Sequence, residues 1–587
     1  IWLASLDSRS IQKALATLKD NRDYANLRDS ARARSQADWL IGMNATRAMT
    51  LRGRESGRDG VLSMGRVQTP SLALVVNRDR EIAAFTPIDY LVLQARLQHD
   101  AGTFSAIFKP SETQPGLNSE GRLVDGATAQ GIMDAVRGKN GIITSVTREK
   151  KKKPVPLPHC LSSLQKAASS KLGMTAQQVL DTAPSLYEKK LTTYPRTDCR
   201  YLPEEQFSDA ARIITALSGV SGLEAVTAKA DSALRGPVWD TKKITAHHAI
   251  IPTAAFAGNG FDGLPESEKK LMSLVCCKLL CAVAAPQEYE TVTAVFDCGG
   301  KQFTAKGKTI LMAGWKDIDA RFRAALKAKP DEDGAEDAAL PELSEGQTFE
   351  TVTASVSEHY TTPPKPYTED SLLSAMENAG KEDMPEDAER QGLGTPATRA
   401  AMIEKLLSAG FVERKGKSLV PTKDGINLAV ILPDMLKSPL LTAEWETRLT
   451  EIAKGCDDPQ SFMQGIEDMT RELVKRYSHI TEDGKKLFAP EKEAVGICPR
   501  CKSPVYEGKK NFYCSDRSCR FVMWKNDKFF ESRRTVFSKK IAAALLKDGK
   551  AKVKGLYSER TGKTYDGTVL LCDTGEKYVN YRIEQRK

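Results

Sequence analysis

Two kinds of hydrophobic periodicity divide this chain into helical and β-rich stretches. From Ser30 to Thr50, apolar residues recur among charged ones at helical spacing, which predicts a long, partly amphipathic helix. A period of two appears in residues 88–150 and returns in 289–309 and 348–357. Because these stretches lie on both sides of a mainly helical stretch, we expect one β domain interrupted by a helical insert.

The insert is expected to begin with two helices joined by a short turn. The first runs over Leu161–Leu172 and ends at Gly173, a common C-terminal stop. Thr175 is placed to cap the second helix. Pro184 lies inside the second pattern and is expected to kink or split that helix near Ala183, because proline cannot donate the helical hydrogen bond.

A helix, a hairpin with a basic tip and another helix are expected after residue 390. Thr395 can cap the first helix, and residues 411–420 form the hairpin. This order is typical of a winged helix. Arg399 on the first helix and Lys415 and Lys417 on the wing are then expected to contact the phosphates of a nucleic acid.

The composition suits a large globular protein with an anionic partner. The chain has 587 residues, 86 of them basic and 76 acidic, with a net charge of +10. This length implies several domains. The mixed excess of positive charge favours basic grooves over a polycationic tail, and a basic protein without such a partner is the alternative. No membrane helix is expected, since no run of about 18 apolar residues occurs.

The start of the chain and its cysteines bear on completeness and compartment. The chain begins at Ile1 without an initiator methionine or a signal peptide, so we expect it to begin inside a longer protein. It contains 12 cysteines, most of them scattered and four clustered late. This usage favours a reducing, cytoplasmic compartment.

The four clustered cysteines give the most specific local signal. Cys498, Cys501, Cys514 and Cys519 have the spacing C-x2-C-x12-C-x4-C, which can close a tetrahedral structural zinc site. Aromatic residues alternate with lysines between and after them, which suits stacking on the bases of single-stranded DNA. The alternative is that these aromatic residues form the core of a small zinc ribbon.

Linkers and changes of composition divide the chain into a series of expected segments. The run Lys150–Lys153, followed by three nearby prolines, is expected to be a linker into the insert. The segments are a helical core domain, first part, 1–86; a β-rich part, 87–153; the helical insert, 154–285; a second β-rich part, 286–360; a winged-helix core part, 361–482; a linker, 483–494; a zinc ribbon, 495–526; and a C-terminal module, 527–587.

The stretch Leu191–Asp198 places a tyrosine beside a phosphate-binding group. Pro195 disfavours helical backbone at Tyr194, so the phenol projects from extended or turning chain. A phenol can attack a phosphodiester, and the guanidinium of Arg196 can bind the phosphate through two parallel hydrogen bonds. Taken alone the pattern is weak, since most tyrosines followed by proline are turn or core residues.

Two other stretches carry groups suited to a phosphate. The glycine-containing turn before residue 70 precedes a helix that Thr69 is placed to cap, and amides at a helix start suit an anion; an ordinary capped helix is the alternative. The candidate DNA contacts there are Ser63, Met64, Gly65, Arg66, Val67, Gln68 and Thr69. The adjacent His247 and His248 point in different directions, so one imidazole near a phosphate is the functional interpretation and a structural pair the alternative.

Five stretches, in this order, resemble the motifs of the type IA DNA topoisomerases, most closely the bacterial topoisomerase III branch. They are SMGRVQTPSLALVVNRDREI at 63–82, KKLTTYPRTDCRYLPEE at 189–205, TAHHAIIPT at 245–253, GLGTPATRAAMIEKL at 392–406 and LTAEWETRL at 441–449. The resemblance implies a multidomain α+β fold. Its parts are a type IA topoisomerase core of helical and winged-helix domains with a β-rich gate arch, then the four-cysteine zinc ribbon and a repeat-like C-terminal module.

The resemblance also implies an activity and roles for the matching residues. Tyr194 is expected to form a 5′-phosphotyrosine bond with one cut strand, with Arg196 holding the scissile phosphate. His247 is expected to bind phosphate or to assist proton transfer, and residues 63–68 match the DNA-contacting segment. Such an enzyme cuts one strand, passes a strand or duplex and religates without ATP, relaxing or decatenating DNA. No Walker-type loop occurs in the sequence.

One part that the resemblance implies is not found in this sequence. The family begins with a Toprim domain whose acidic cluster binds Mg2+, and no D-x-D motif lies near Ile1. We therefore expect Zn2+ and Mg2+ as cofactors, the Mg2+ bound by a Toprim domain of the full-length protein that this chain lacks. The expected partner is DNA, preferentially single-stranded, with a helicase or single-strand-binding protein as a further partner. A monomer in the cytoplasm, associated with the nucleoid, is expected.

Two other classes of DNA-binding protein are the alternatives to a type IA topoisomerase. A non-catalytic single-stranded-DNA-binding protein could have kept the scaffold and the zinc ribbon after losing a Toprim domain. A tyrosine recombinase would carry an Arg-His-x-x-Arg pattern ahead of a late tyrosine, and that pattern is not found.

Overall fold

The computed structural model of the protein describes residues 8–55, 60–100, 102–220, 223–228, 230, 233–244, 247–325, 339–383, 392–476, 487, 493–516, 518–573, 575 and 579–584. The chain divides into two compact units, one of residues 1–54 and 59–484 and the other of residues 55–58 and 485–587. In the described residues, no helix is long and apolar enough to cross a membrane. The mixed class of helices and strands expected from the sequence is confirmed.

Helices form most of the first unit. The long helix expected over residues 30–50 spans Ala25–Glu55, and its buried residues Ala33, Ala37, Ile41 and Ala45 recur every four positions, the spacing of one helix face. The helices are α1 Ser8–Ala16, α2 Ala25–Glu55, α3 Gln68–Ala84, α4 Gly126–Val136, α5 Leu161–Leu172, α6 Ala176–Glu188, α7 Phe207–Leu217, α8 Glu224–Thr227, α9 Ala254–Asn259, α10 Glu266–Ala282, α11 Trp315–Ala325, α12 Glu369–Asn378, α13 Pro396–Ser408, α14 Lys423–Ile431, α15 Asp434–Lys437, α16 Leu440–Lys454 and α17 Pro459–Arg476.

The two β-rich stretches of the sequence meet in one closed antiparallel barrel, in the order β1-β2-β5-β4-β3-β6. Its strands are β1 Asp89–His99, β2 Gly102–Phe108, β3 Asn140–Lys153, β4 Gln287–Cys298, β5 Lys301–Met312 and β6 Thr348–Tyr360. Inward-facing phenylalanines fill the interior, and the ring of Phe104 lies 5.6 Å from those of Phe296 and Phe349. The insert leaves the barrel after β3 and returns to it at β4.

Three of these strands extend beyond the barrel as an arm. The last strand, β6, pairs with β3 only at Asn140–Ile142, and β2 pairs with β5 only at Thr304 and Phe303. The remaining parts of β3, β4 and β5 pair with one another as far as Lys153 and Met312. This three-stranded arm carries the insert.

The lysines expected in a linker belong to this arm, so the linker prediction is wrong there. Lys150 and Lys152 stand opposite Glu290 and Glu288 of β4, and Nζ of Lys152 lies 2.7 Å from Glu288. Opposite charges across an antiparallel pair stabilise a strand. The acidic partners lie far along the sequence, so the lysine run by itself resembles a solvated linker.

The insert has its own hydrophobic core, built on α10. Leu271, Leu274 and Leu279 of this helix are buried against residues of α5 and α6. Its three cysteines are buried apolar fillers, as expected, and burial raises the pKa of the Cys276 thiol. Pro184 does not split α6, which runs unbroken over Ala176–Glu188. The expected split is therefore wrong, since buried side chains on both sides of the proline hold the helix against the core.

The expected winged helix is formed by α13, a small sheet and α14. The sheet has the order β7-β9-β8, with β7 Tyr367–Thr368, β8 Val412–Lys415 and β9 Ser418–Pro421. Pro396 is the first residue of α13, and the hydroxyl of Thr398 accepts a hydrogen bond from the amide of Thr395 at 2.8 Å. Phe411 is fully buried between α13 and the hairpin.

Two carboxylates of α12 hold the insert to the winged-helix part. Glu369 accepts a hydrogen bond from the amide of Ala176 at 2.7 Å, at the first residue of α6. Glu377 accepts a hydrogen bond from the hydroxyl of Ser162 at 2.7 Å, in the first turn of α5. Carboxylates at helix N-termini are favoured by the helix dipole, so α12 docks on the start of both insert helices.

In its described residues, the second unit combines two sheets with helices around one core. The sheets are β10-β11-β12-β13 and β14-β15-β16. Phe512, Phe530 and Phe537 are buried together, the last two stacked at 4.4 Å. The elements are β10 Ala494–Ile497, β11 Pro504–Glu507, β12 Asn511–Cys514, β13 Val522–Trp524, α18 Lys528–Ser532, α19 Lys539–Asp548, β14 Lys550–Tyr557, β15 Thr564–Cys572 and β16 Asn580–Ile583.

Candidate functional site

Tyr194 lies on an extended segment that is hydrogen-bonded to the segment carrying His247. The amide of Thr193 donates to the carbonyl of Ile251 at 3.0 Å, and the hydroxyl of Thr193 donates to the carbonyl of Ala249 at 2.9 Å. The same hydroxyl accepts a hydrogen bond from the amide of Ile251 at 3.0 Å. One buried threonine therefore fixes the register of the two segments immediately before the tyrosine.

A second threonine fixes them on the other side of Tyr194. The hydroxyl of Thr197 donates to the carbonyl of His247 at 3.2 Å. The carbonyl of Thr197 accepts a hydrogen bond from the amide of Leu161 at 2.9 Å, at the start of α5. Tyr194 is thus held between two anchored residues while its own side chain remains half-buried.

The structure brings two of the three expected catalytic side chains into contact. The rings of Tyr194 and His247 lie with their centroids 4.2 Å apart and their planes 35° apart. Burial lowers the pKa of His247 from its ordinary value of 6.5, opposed by the nearby charge of Asp198. The lowered pKa favours the uncharged imidazole at neutral pH. Its Nδ1 is buried and has no hydrogen-bond partner among the described residues.

The third expected catalytic side chain, Arg196, is exposed on the same segment. Tyr194 and Arg196 are separated by the buried Pro195. In the part of the chain that the structure describes, the Arg196 guanidinium has no ion pair with a carboxylate. A bound phosphate would therefore not have to displace an internal partner to reach it.

A residue that sequence reasoning missed completes the surroundings of Tyr194. Tyr187, at the end of α6, lies with its ring centroid 5.5 Å from that of Tyr194 and at 82° to it. Burial and the neighbouring Tyr194 raise the pKa of Tyr187. The sequence shows an aromatic residue seven positions before Tyr194. It does not show that the chain reverses between the two and brings their rings together.

The segment before α3, where DNA contacts are predicted, is largely folded against its neighbours. Met64, Gln68 and Thr69 are buried, whereas Ser63, Gly65 and Val67 are half-buried. The hydroxyl of Ser63 donates to the side-chain oxygen of Gln68 at 2.8 Å. The helix begins at Gln68 rather than after Thr69, and Thr69 accepts a hydrogen bond from the amide of Gly65 at 3.2 Å.

Arg66 is the buried charged residue of this segment. Its guanidinium is buried and donates to Asp38 at 2.8 Å and to Glu446 at 3.0 Å, above the ring of Trp445. Arg34 donates to the other oxygen of Glu446 at 2.7 Å. Through these ion pairs Arg66 joins α2, the turn and α16, and its contact with DNA stays a prediction.

Of the three DNA contacts expected on the winged helix, one residue is buried and two are exposed. Arg399 is buried and donates to the carbonyl of Leu393 at 3.1 Å; burial lowers its pKa, although Glu377 opposes this effect. Arg399 thus has internal partners in this structure, and its direct contact with DNA stays a prediction. Lys415 and Lys417 are exposed at the wing tip, with Nζ of Lys415 at 3.0 Å from Glu413.

The four late cysteines converge on one point in the second unit. Their sulfur atoms all lie within 4.8 Å of one another. The sulfurs of Cys498 and Cys519 are 3.6 Å apart and those of Cys501 and Cys514 are 3.4 Å apart. A tetrahedral zinc with Zn–S bonds of about 2.3 Å separates its sulfurs by about 3.8 Å. The cluster therefore fits a structural zinc ion, and its residues would be Cys498, Cys501, Cys514 and Cys519.

The aromatic residues around the cysteines have two separate locations. Phe512 and Phe521 are fully buried in the core, so they cannot stack on bases. Tyr506 and Tyr513 pair across β11 and β12 on the opposite face, and Trp524 keeps 39% of its surface exposed. The core interpretation therefore applies to the buried rings, and stacking on bases by the other rings stays a prediction.

Comparison with known proteins gives a consistent set of similarities. A family model described as DNA topoisomerase matches residues 22–464. DNA topoisomerase 3 of Haemophilus influenzae is 36% identical over 493 residues, which are 81% of this chain and 74% of that protein. DNA topoisomerase 3 of Vibrio cholerae is 37% identical over 520 residues, or 86% and 77% of the two chains.

A solved structure shows the same fold. Full-length topoisomerase I from Thermotoga maritima matches with a TM-score of 0.63, covering 89% of this chain and 80% of that chain. The identity over the match is 22%, so this likeness bears on the fold alone.

Proposed function

Because this chain belongs to the type IA family of DNA topoisomerases, we propose that Tyr194 is the nucleophile with which it cuts a DNA strand. As a member of that family it is an isomerase that changes the topology of DNA. The observation that carries the proposal is the tilted contact between the rings of Tyr194 and His247, with centroids 4.2 Å apart, on a segment where Arg196 is exposed.

The proposed step is a transesterification at one phosphodiester. The phenol oxygen of Tyr194 forms a bond to phosphorus while the bond from phosphorus to the 3′ oxygen of the preceding nucleotide breaks. The phenol gives up a proton and the 3′ oxygen gains one. The phosphotyrosine retains the energy of the cut bond, so attack by the 3′-hydroxyl reverses the step without ATP.

Arg196 and His247 have different roles in this proposal. Arg196 holds the non-bridging oxygens of the phosphate, because a guanidinium presents paired donors to them. The lowered pKa of His247 favours assistance with proton transfer over binding of phosphate as a cation, since a neutral ring can accept a proton. The anchoring hydrogen bonds of Thr193 and Thr197 keep Tyr194 and His247 together during the step.

The cofactors and partners form a further part of the proposal. Zinc fits the four cysteines as a structural ion. Among the described residues, that cluster is the only group of three or more His, Cys, Asp or Glu side chains arranged to hold a metal. We propose that the enzyme requires Mg2+ and prefers single-stranded DNA. We also propose that it is a monomer, that it has a helicase or single-strand-binding partner, and that it is associated with the nucleoid in the cytoplasm.

Labelled oligonucleotides test the central claim. The full-length enzyme is mixed with single-stranded DNA and Mg2+, stopped with detergent and analysed on a denaturing gel. A label at the 3′ end should travel with the protein and a label at the 5′ end should not, because the tyrosine takes the 5′ phosphate. Tyr194→Phe should form no adduct, while Tyr201→Phe, altered in the same segment, should behave like the wild type.

Two results would overturn the assignment. One is a covalent adduct that persists in Tyr194→Phe. The other is DNA binding by the wild-type enzyme without any cleavage or relaxation, which would favour the non-catalytic single-stranded-DNA-binding protein instead.

A further inference from the structure

The nucleophile proposed above has a second aromatic neighbour whose role no motif suggests. The ring of Tyr187 meets that of Tyr194 nearly at a right angle, with centroids 5.5 Å apart. His247 contacts the same tyrosine in a tilted stack at 4.2 Å. The described rings include no contact between Tyr187 and His247, so the two neighbours hold different parts of the Tyr194 ring.

The backbone that carries Tyr187 is firmly placed. After α6 the chain reverses at Lys190, which has the left-handed φ of 62°. The amide of Lys190 donates to the carbonyl of Tyr187 at 2.8 Å, and that of Leu191 donates to Leu186 at 2.9 Å. This reversal brings residue 194 back beside residue 187.

A buried carboxylate on a different helix fixes the same turn. Glu268 of α10 accepts a hydrogen bond from the hydroxyl of Ser185 at 2.9 Å and two from Nζ of Lys189 at 2.7 Å. Glu268 is 5% exposed, so these bonds tie the end of α6 to the core of the insert. Tyr187 is therefore mounted on a rigid support, although its own side chain is only half-buried.

We propose that Tyr187 is a positioning residue for DNA cleavage, whose ring holds the phenol of Tyr194 against His247. This inference rests on the proposed role of Tyr194. An in-line attack requires the phenol oxygen to point at the phosphorus, and misplacement of a reacting group lowers the rate steeply. Edge-to-face contacts stabilise one ring orientation, and the ring rather than the hydroxyl of Tyr187 makes the contact.

Substitutions at Tyr187 separate the ring from its hydroxyl. Tyr187→Leu should slow single-turnover cleavage of a 3′-labelled oligonucleotide by about 3- to 10-fold, the equivalent of one aromatic pair, with unchanged affinity for the same DNA. Tyr187→Phe keeps the ring and should stay within about twofold of the wild type. Tyr201→Leu is the matched control, since that ring packs below Nζ of Lys243 at 4.8 Å rather than against Tyr194.

A spectroscopic measurement addresses the contact directly. With 3-fluorotyrosine at position 194, the 19F resonance should shift or broaden in Tyr187→Leu and stay in place in Tyr187→Phe. Unchanged cleavage and an unchanged resonance in Tyr187→Leu would overturn the inference, as would equal losses in the Leu and Phe variants. If the wild type forms no adduct at Tyr194, the proposed function fails, whereas the resonance still reports whether Tyr187 orients the ring.

Discussion

The carboxylate of Glu377 on α12 lies 2.6 Å from Nζ of Lys166 on α5. The hydroxyl of Ser162 donates to the same carboxylate. Burial alone would raise the pKa of Glu377, but the hydrogen bonds from Lys166 and Ser162 outweigh it and lower the pKa below its ordinary 4.5. This pair joins the insert that carries Tyr194 to the winged-helix part.

The Glu377 contact should weaken in acid. A depressed carboxyl pKa contributes stability that is present above the ordinary value of 4.5 and is lost as the pH falls through the lower folded value. Glu377→Gln should lower the free energy of unfolding by about 1–2 kcal/mol. This value is small because the carboxylate is partly exposed and solvent screens its interactions. Hydrogen exchange of α5 should rise in this variant at pH 7. Equal exchange in the variant and the wild type would contradict this prediction.

Glu446 should be one of the most sensitive residues of the first unit. It is 2% exposed and accepts hydrogen bonds from two buried arginines, Arg34 and Arg66. Glu446→Gln removes one of the carboxylates that balance these two arginines, Asp38 being another, and should lower the free energy of unfolding by about 3–5 kcal/mol. Urea denaturation measures the loss, and the exposed Glu444 on the same helix provides the control Glu444→Gln. A loss below about 1 kcal/mol would show that Asp38 alone balances the charge.

His247 should affect both stability and cleavage below pH 6.5. Because burial lowers its pKa in the folded state, the unfolded chain takes up the proton first, and stability falls as the pH drops below 6.5. His247→Gln should remove this component from the pH dependence of the melting temperature. In the proposed mechanism, the same variant should also lose the matching inflection in the cleavage rate. A wild-type inflection above pH 7 would indicate a cationic imidazole instead.

Zinc removal should unfold the second unit. Binding of a structural zinc by four cysteines contributes roughly 10–16 kcal/mol at neutral pH. Cys498 and Cys514 are buried in the hydrophobic core of that unit, so loss of the ion exposes the core. Metal analysis should give one zinc per chain, and a chelator should release it and make four thiols reactive. Cys514→Ser should lose the zinc, while Cys456→Ser, at an exposed cysteine outside the cluster, should retain it.

The wing lysines should contribute to DNA affinity through charge alone. Each phosphate contact to a single strand contributes a slope of about −0.7 to the salt dependence of binding. The double variant Lys415→Gln, Lys417→Gln should therefore reduce that slope by about 1.4 without changing sequence preference. Lys475→Gln on α17 is the control. An unchanged slope would exclude the wing from the DNA-binding surface.

Signals that depend on local spacing could be interpreted from the sequence, whereas internal charge pairs could not. The four cysteines converge because two short turns bring each pair together, and the alternation of apolar residues predicted the strands of the barrel. Arg66 and Arg399 were expected at DNA because an arginine in a polar turn or on a winged helix is usually exposed. Their burial depends on Glu446 and Glu377, carboxylates that the fold brings close from elsewhere.

The surroundings of Tyr194 could likewise be predicted only in part from the sequence. Arg196 was identified because it is two residues away, and His247 because the resemblance supplied it. Tyr187 was missed because its contact depends on a non-glycine residue in the left-handed region, Lys190, and on the distant support of Glu268. Neither feature has a sequence signature of its own.

The three-stranded arm gives the molecule a mechanical property. From Ser145 to Lys153 it extends for about 30 Å at the rise of a β-strand, and its three strands end beside the insert. Lys153 and Gln287 stand opposite each other, so the strands of the arm bend together rather than separate, while Glu369 and Glu377 of α12 hold the insert from another side. A deflection of about 10° where the arm leaves the barrel would displace the start of the insert by about 5 Å.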